Sequence, residues 1–350
     1  MKVILCFLAM ILLGCEIVRD FIGKEKIDPY YLTGSKEQLE QLGSLFTLLD
    51  SARGDAERFS LVREIANVYA RQEEYGRLVN FLGSRVESYP NDPHNAYYLL
   101  MTAYAYTQQE AYPIAEMYFD IIVKNYPDLL IQERSIHLAC LNQLLDMVRD
   151  PEHRIKYYQK LISHFPDKTD LGVDYFMLGQ AYEQTGEWDL AIQAYTQFLS
   201  FIDTDIPGFP NADHYAKQLI DFNNSPKDWT FETLNDIVNA VRSAISAGDS
   251  WRLWSYRAKV NFFTRSWAQD ASDDSDMDEF NLQVFMQGTN VQYAPALDPS
   301  SNATEAYLKT WGWTQSISTW YLYFRKIYFP VNSDIHGRWE WAGVYYGEKF

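Results

Sequence analysis

From Ser35 to about Thr204 the apolar residues recur at helical spacing, with almost no glycine-rich or strand-like stretches, so this segment predicts a succession of amphipathic helices. Ser35-Lys36-Glu37-Gln38 reads as a capping box opening the first of them, Ser35 to Asp50. Between Ile206 and Asp228, Pro207, Pro210, Pro226 and the cluster Asn223-Asn224-Ser225 interrupt the pattern and mark a boundary. A helix is expected from about Thr230, with Leu234, Ile237, Val238, Val241 and Ile245 on one face and Gly248-Asp249 as its stop. A second helical stretch is expected from Trp251 to Trp267. The acidic run Asp270 to Glu279 reads as a solvated loop. After it, Phe280 to Met286, Thr319 to Phe329 and Arg338 to Gly347 are aromatic and β-branched at strand length, with Pro330 to Gly337 as a turn.

The other end of the chain has a different pattern. Met1 and Lys2 precede an unbroken apolar run, Val3 to Leu13, which ends at Gly14-Cys15, the organisation of a signal peptide. The run is far shorter than the roughly 20 residues a permanent span requires.

Self-similarity organises the helical segment. Tyr89-Pro90-Asn91, Tyr126-Pro127-Asp128 and Phe165-Pro166-Asp167 place their prolines 37 and 39 residues apart. Proline disfavours the helical conformation of the residue before it and cannot continue the hydrogen-bond ladder, so each triplet should end a helix pair. Counting back from the triplets, Ala66 and Tyr69 take a small-x-x-aromatic site in a first helix, with Leu78 and Leu82 in the second; Ala103 and Tyr106 are followed by Ala115 and Phe119. The clearest copy comes last: Tyr175, Leu178-Gly179, Tyr182, Gly186-Glu187-Trp188, Ala191 and Tyr195. The third unit departs from the pattern, with Asn142 at the small site and Arg154 where alanine is expected.

This spacing resembles the tetratricopeptide repeat (TPR) family. The resemblance covers roughly Arg58 to Asp205 and implies a mainly α fold: a TPR-like α-α superhelix, here followed by a smaller α+β domain with an antiparallel sheet. The domains expected are a signal peptide at 1–15, a tether at 16–34, the TPR-like repeats at 35–205, a linker at 206–228 and an aromatic-rich α+β domain at 229–350. Leu12-Leu13-Gly14-Cys15 resembles the lipobox of bacterial lipoproteins, which implies lipidation of Cys15; the other reading is an ordinary signal with an incidental cysteine. Together the two resemblances are similar to TPR lipoproteins of bacterial envelopes. They imply a lipid-anchored location in the cell envelope, periplasmic or outer-membrane associated.

Charge narrows the partners. With 47 acidic against 30 basic residues the net charge is −17, which excludes nucleic acid and leaves acyl chains rather than charge to hold the protein at a membrane. Cys6 and Cys15 lie in or at the signal and Cys140 stands alone, so the mature chain has no disulfide. Nine of the 10 tryptophans lie at or after Trp229. Trp311, Trp313, Trp320, Trp339 and Trp341 admit two readings, a packed core or a platform for a sugar, peptidoglycan fragment or apolar solute.

No nucleophile elbow, zinc-ligand spacing, phosphate loop or dinucleotide fingerprint is present, so no enzymatic activity, metal or cofactor is expected. The TPR resemblance instead implies a concave partner-binding surface. Its register selects Arg63, Asn67 and Arg71 in the first unit, Tyr97, Leu100, Tyr104 and Gln108 in the second, and Phe176 and Gln180 in the fourth. Arg63 and Asn67 suit an extended peptide's backbone or carboxylate, or they pair with acidic neighbours such as Glu64 and Glu73. The function expected is a protein-binding scaffold for envelope or transport proteins, with a small-ligand binder using the C-terminal domain as the alternative.

Overall fold

Each aromatic-proline triplet ends a helix, as the proline ring requires. In the computed structural model, which describes residues 27–201, 204–267, 282–286, 288–347 and 349, Tyr89, Tyr126 and Phe165 are C-cap residues with extended φ values of −130°, −118° and −132°. Cys15, the whole signal and the acidic run Asp270 to Glu279 lie outside the described residues.

Helix α1 (Lys36–Ser51) opens on the capping box read from the sequence. Gln38 N–H donates to Ser35 Oγ at 3.3 Å, and Ser35 N–H donates to Gln38 Oε1 at 2.7 Å. Three helix pairs follow the repeat register: α2 (Asp55–Arg71) with α3 (Tyr75–Ser88), α4 (Asn95–Gln108) with α5 (Tyr112–Asn125), and α8 (Leu171–Thr185) with α9 (Trp188–Phe198). Their first helices all close in the same way. Glu73, Glu110 and Gly186, each seven residues beyond the small residue of its unit, take left-handed φ values of 57°, 58° and 80°. The next N–H then reaches back to the repeat tyrosine: Glu74 to Tyr69 O at 3.0 Å, Ala111 to Tyr106 O at 2.9 Å and Glu187 to Tyr182 O at 2.9 Å. These are Schellman closures, which satisfy the carbonyls a helix end would otherwise leave open.

Small residues set the contact between paired helices. Ala66, Ala103, Ala115 and Ala191 are buried. A Cβ on Gly179 would stand 2.6 Å from the ring of Tyr195, itself fully buried, so the glycine marks where α8 and α9 touch. The ring over Gly179 therefore comes from the second helix of the pair; Tyr182 instead accepts a hydrogen bond at its hydroxyl from Gln159 Nε2 at 2.7 Å.

The unit that departs from the repeat pattern behaves differently. The chain divides into two compact units between Arg149 and Asp150. Helix α6 (Ile136–Met147) packs on α4 and α5, whereas α7 (Pro151–His164) packs on α8. Asn142 is exposed at the site where a small residue should be buried, and Arg154 donates to the Tyr158 hydroxyl at 2.8 Å instead of making a close helix contact. A short antiparallel ladder, β1 (Leu130–Ile131) with β2 (Arg134–Ser135), precedes α6 and was not legible in the helical spacing. Its turn residues Gln132 and Glu133 are both left-handed, as a two-residue hairpin demands.

The stretch 206–228, expected as a linker, contains helix α10 (Ala212–Asn224), which packs on α9. Helix α11 (Leu234–Ser246) follows as expected, with Thr233 capping Asp236 N–H and left-handed Gly248 after its end. Two expectations are corrected. The helix foreseen over Trp251 to Trp267 stops after α12 (Ser250–Ser255); beyond left-handed Asn261, Phe263–Ser266 forms strand β3, where β-branched and aromatic side chains pair better than they coil. The strand foreseen at Phe280 to Met286 holds instead the short helix α13 (Leu282–Met286).

Strands β4 (Gln292–Tyr293), β5 (Glu305–Trp311), β6 (Trp320–Lys326) and β7 (Trp339–Tyr346) complete a sheet of order β3-β7-β6-β5-β4. All its pairs are antiparallel except β3 with β7. On one face Ile237, Val241 and Ile245 of α11 meet Leu308, Leu322, Trp341 and Val344. The fold class is thus mainly α, TPR-like helix pairs followed by an α+β part with a mostly antiparallel sheet.

A single conformational demand at three equivalent positions gives a paired test. A side chain in the left-handed region costs roughly 1–2 kcal/mol, offset in part by the unfolded-state entropy that glycine adds. Gly186 has open space around its Cβ direction, so Gly186→Ala meets only this backbone cost. We expect it to lower stability by about 1 kcal/mol and Glu110→Gly to raise it by a similar amount. Urea denaturation midpoints check both.

Candidate functional site

Helix α2 buries Val62, Ile65, Ala66, Val68 and Tyr69, which leaves Arg63, Asn67 and Arg71 on one stripe outside the core. On α4, Tyr97, Leu100, Tyr104 and Gln108 form the corresponding stripe by the same periodicity. A ring bridge joins the two helices. The Arg63 guanidinium lies 5.7 Å from the centroid of Phe59, which meets Tyr97 edge-on at 5.2 Å and stacks on His94 at 4.1 Å. Burial raises the Tyr97 hydroxyl above its ordinary pKa, and the Arg63 charge opposes that rise.

The basic residues differ in their engagement. Arg71 pairs with Glu64 at 2.9 Å, both side chains exposed to water, an arrangement worth little. Arg63 has no carboxylate partner among the described residues, so the acidic neighbours do not neutralise it. Asn67 is half-buried beside it and Gln108 is exposed. Tyr104 and Phe119 meet edge to face at 5.5 Å, and Cys140 lies near the Tyr104 hydroxyl. Burial pushes the Cys140 thiol up to about 12, which makes it a packing residue without thiolate reactivity.

Two residues chosen by register do not offer themselves to a partner. Leu100 is buried at 8 % exposure and Phe176 is fully buried. Phe176 belongs to the second compact unit, where Tyr195, Phe198 and Phe209 surround it at ring distances of 5.1 to 5.5 Å. Phe209 comes from the chain after α9, which returns over α8 and covers the position a repeat register leaves open. Gln180, one turn along the same helix, stays half-buried.

The same helix carries a buried carboxyl that no motif announced. Thr204 lies against Gly172, where a Cβ would come within 2.3 Å of its hydroxyl. Beside it Asp174 is buried, and one carboxylate oxygen has no hydrogen-bond partner. Burial raises its pKa to about 6, against the lowering effect of Thr169. The groups bearing on Asp174 are the Thr169 side chain and the Asp170 carboxylate.

Of the five clustered tryptophans, Trp313, Trp320, Trp339 and Trp341 are buried in the core and Trp311 is exposed at 40 %. Trp341 and Trp320 fill the space between α11 and the sheet. Glu340, which alternation would put in water, is 1 % exposed. It accepts from Arg325 Nε and Trp229 Nε1, both at 2.7 Å, because the second face of the sheet is covered as well. Among the described residues no cluster of three or more potential metal ligands occurs, and no helix is long and apolar enough to cross a membrane.

Compared with known families, residues 175–202 match the tetratricopeptide repeat. Neither a curated protein nor a solved structure matches the chain. The matched residues are those of α8 and α9, the copy clearest in the sequence. The chain therefore contains a tetratricopeptide repeat, and its helical part has the character of a protein–protein interaction scaffold.

The burial of Asp174 can be tested through pH. Its folded pKa of about 6 exceeds the ordinary 3.8, so the fold favours the protonated form. The resulting stability is full below about pH 4, is lost as pH rises towards 6, and stays lost above. Asp174→Asn is expected to raise stability by about 1 kcal/mol at pH 7.5 and to change nothing at pH 4. Denaturation curves at the two pH values check the difference.

Proposed function

We propose that this chain is a membrane-anchored lipoprotein of the bacterial cell envelope, without enzymatic activity, whose helix pairs hold an extended segment of another envelope or transport protein. The observation that carries the reading is Arg63. It is a guanidinium without a carboxylate partner among the described residues, positioned on Phe59 beside Asn67 and Tyr97, in a protein of net charge −17. Such a group attracts a carboxylate, and its planar fork can donate two parallel hydrogen bonds. Asn67 and Gln108 add amide groups suited to a peptide backbone, and the half-buried rings of Tyr97 and Tyr104 add apolar contact.

Anchoring rests on the sequence alone. An apolar run ending in Gly14-Cys15, with only buried Cys140 left as a thiol, favours lipidation of Cys15 over disulfide chemistry. Two or more acyl chains hold a protein at a membrane where one is marginal. A periplasmic or outer-membrane location follows from the same reading.

Two experiments test the halves of the proposal separately. Pull-down of the mature protein from its native envelope should recover a partner. Arg63→Glu combined with Asn67→Ala should reduce that recovery at least tenfold while circular dichroism stays unchanged; undiminished capture places the binding site elsewhere. Cys15→Ser should release the protein from membranes or leave its signal attached. Absence of labelled palmitate in the wild type would refute the anchor.

A further inference from the structure

Between α10 and the end of β6, within the second compact unit, lies a cavity of about 230 Å³. Leu219 and Phe222 of α10 wall one side; Ile327 and Phe329, just beyond β6, wall the other. Phe222 and Phe329 meet edge to face at 4.8 Å. Arg325, Lys326 and Glu340 also line the cavity.

The polar groups are unequally engaged. Both oxygens of Glu340 are occupied, one by Arg325 Nε and the other by Trp229 Nε1. That pair fixes the Arg325 guanidinium by its inner nitrogen. The two terminal nitrogens of Arg325, on a side chain 34 % exposed, have no partner among the described residues, and neither does the Lys326 ammonium. The cavity thus combines aromatic and aliphatic walls with two cationic groups against one saturated carboxylate. In a protein of net charge −17 this is a local reversal of sign.

We propose that this cavity binds a small organic monocarboxylate whose apolar body is about the size of one aromatic ring. A dry cavity of about 150 Å³ accepts benzene, so the volume here accommodates a ring and a carboxylate together. The end-on edge of a guanidinium matches a carboxylate with two parallel hydrogen bonds. Because Glu340 already holds Arg325 in place, little side-chain freedom is lost on binding. This site is separate from the protein-binding face of α2 and α4 and does not depend on it.

Phenylacetate and its neutral isostere phenylacetamide are the probes, titrated into the full mature chain by calorimetry. Wild type should bind phenylacetate saturably with a Kd on the order of 1 mM and the amide at least about tenfold more weakly. Leu219→Trp, which fills the cavity, should abolish binding of both. Lys326→Glu changes an exposed rim charge without touching the core; it should weaken phenylacetate about tenfold and leave the amide unchanged. The proposal is overturned by any of three results: no saturable binding of phenylacetate, equal affinity for acid and amide, or phenylacetate affinity unaltered by Lys326→Glu.

Discussion

Two helices can lie side by side only where neither backbone is held away by its own side chains. In this protein the contact is made by Ala66, Ala103, Ala115, Gly179 and Ala191, all buried, and at Gly179 the Tyr195 ring occupies the space a methyl group would need. Helix rotation follows from these contacts, because turning a small residue inward turns a defined stripe outward. Arg63, Asn67 and Arg71 share a stripe through the helical period, and the inward turn of Ala66 sets that stripe outside the core. Where the small residue is missing, at exposed Asn142, the compact units divide nearby.

The second organising demand is electrostatic. A protein with this excess of acidic groups can leave most of them in water, and among the described residues three charged groups stand apart. Glu340 is buried with both oxygens satisfied, Asp174 is buried with one oxygen unsatisfied, and Arg63 is a cation without a carboxylate partner among the described residues. The first is tolerable because its partners neutralise and orient it. Burial raises the pKa of the second to about 6, so its ionised form costs stability. The third is the one that an external carboxylate would complete.

Buried aromatic rings serve opposite purposes in the two parts of the chain. Among the helices, Tyr195 fills the space beside Gly179 and Tyr69 is buried in the core of its helix pair. In the sheet, Trp320 and Trp341 supply the bulk that α11 packs against. Exposure near 40 % at Trp311 is the exception among the five tryptophans, so the domain's capacity for a small molecule lies not in a tryptophan platform but beneath α10.

Local rules in the sequence were sufficient for much of this. Proline after an aromatic residue ends a helix whatever surrounds it, the Ser35 box satisfies its own helix end, and a glycine or alanine at fixed offset from a tyrosine announces a helix contact. The paired helices, α11 and the strands β6 and β7 were therefore legible from spacing, and so was the stripe holding Arg63 and Asn67. Tertiary structure decided what spacing cannot encode. It brought Phe209 over Phe176, closing a position the register left open, and covered the second face of the sheet, so that alternation around Glu340 no longer meant exposure. It also made a helix of 212–224 and set it against the end of β6, with a cavity open to solvent between them. Periodicity reports which face of an element is apolar; only the packing of distant segments determines which polar group loses its water.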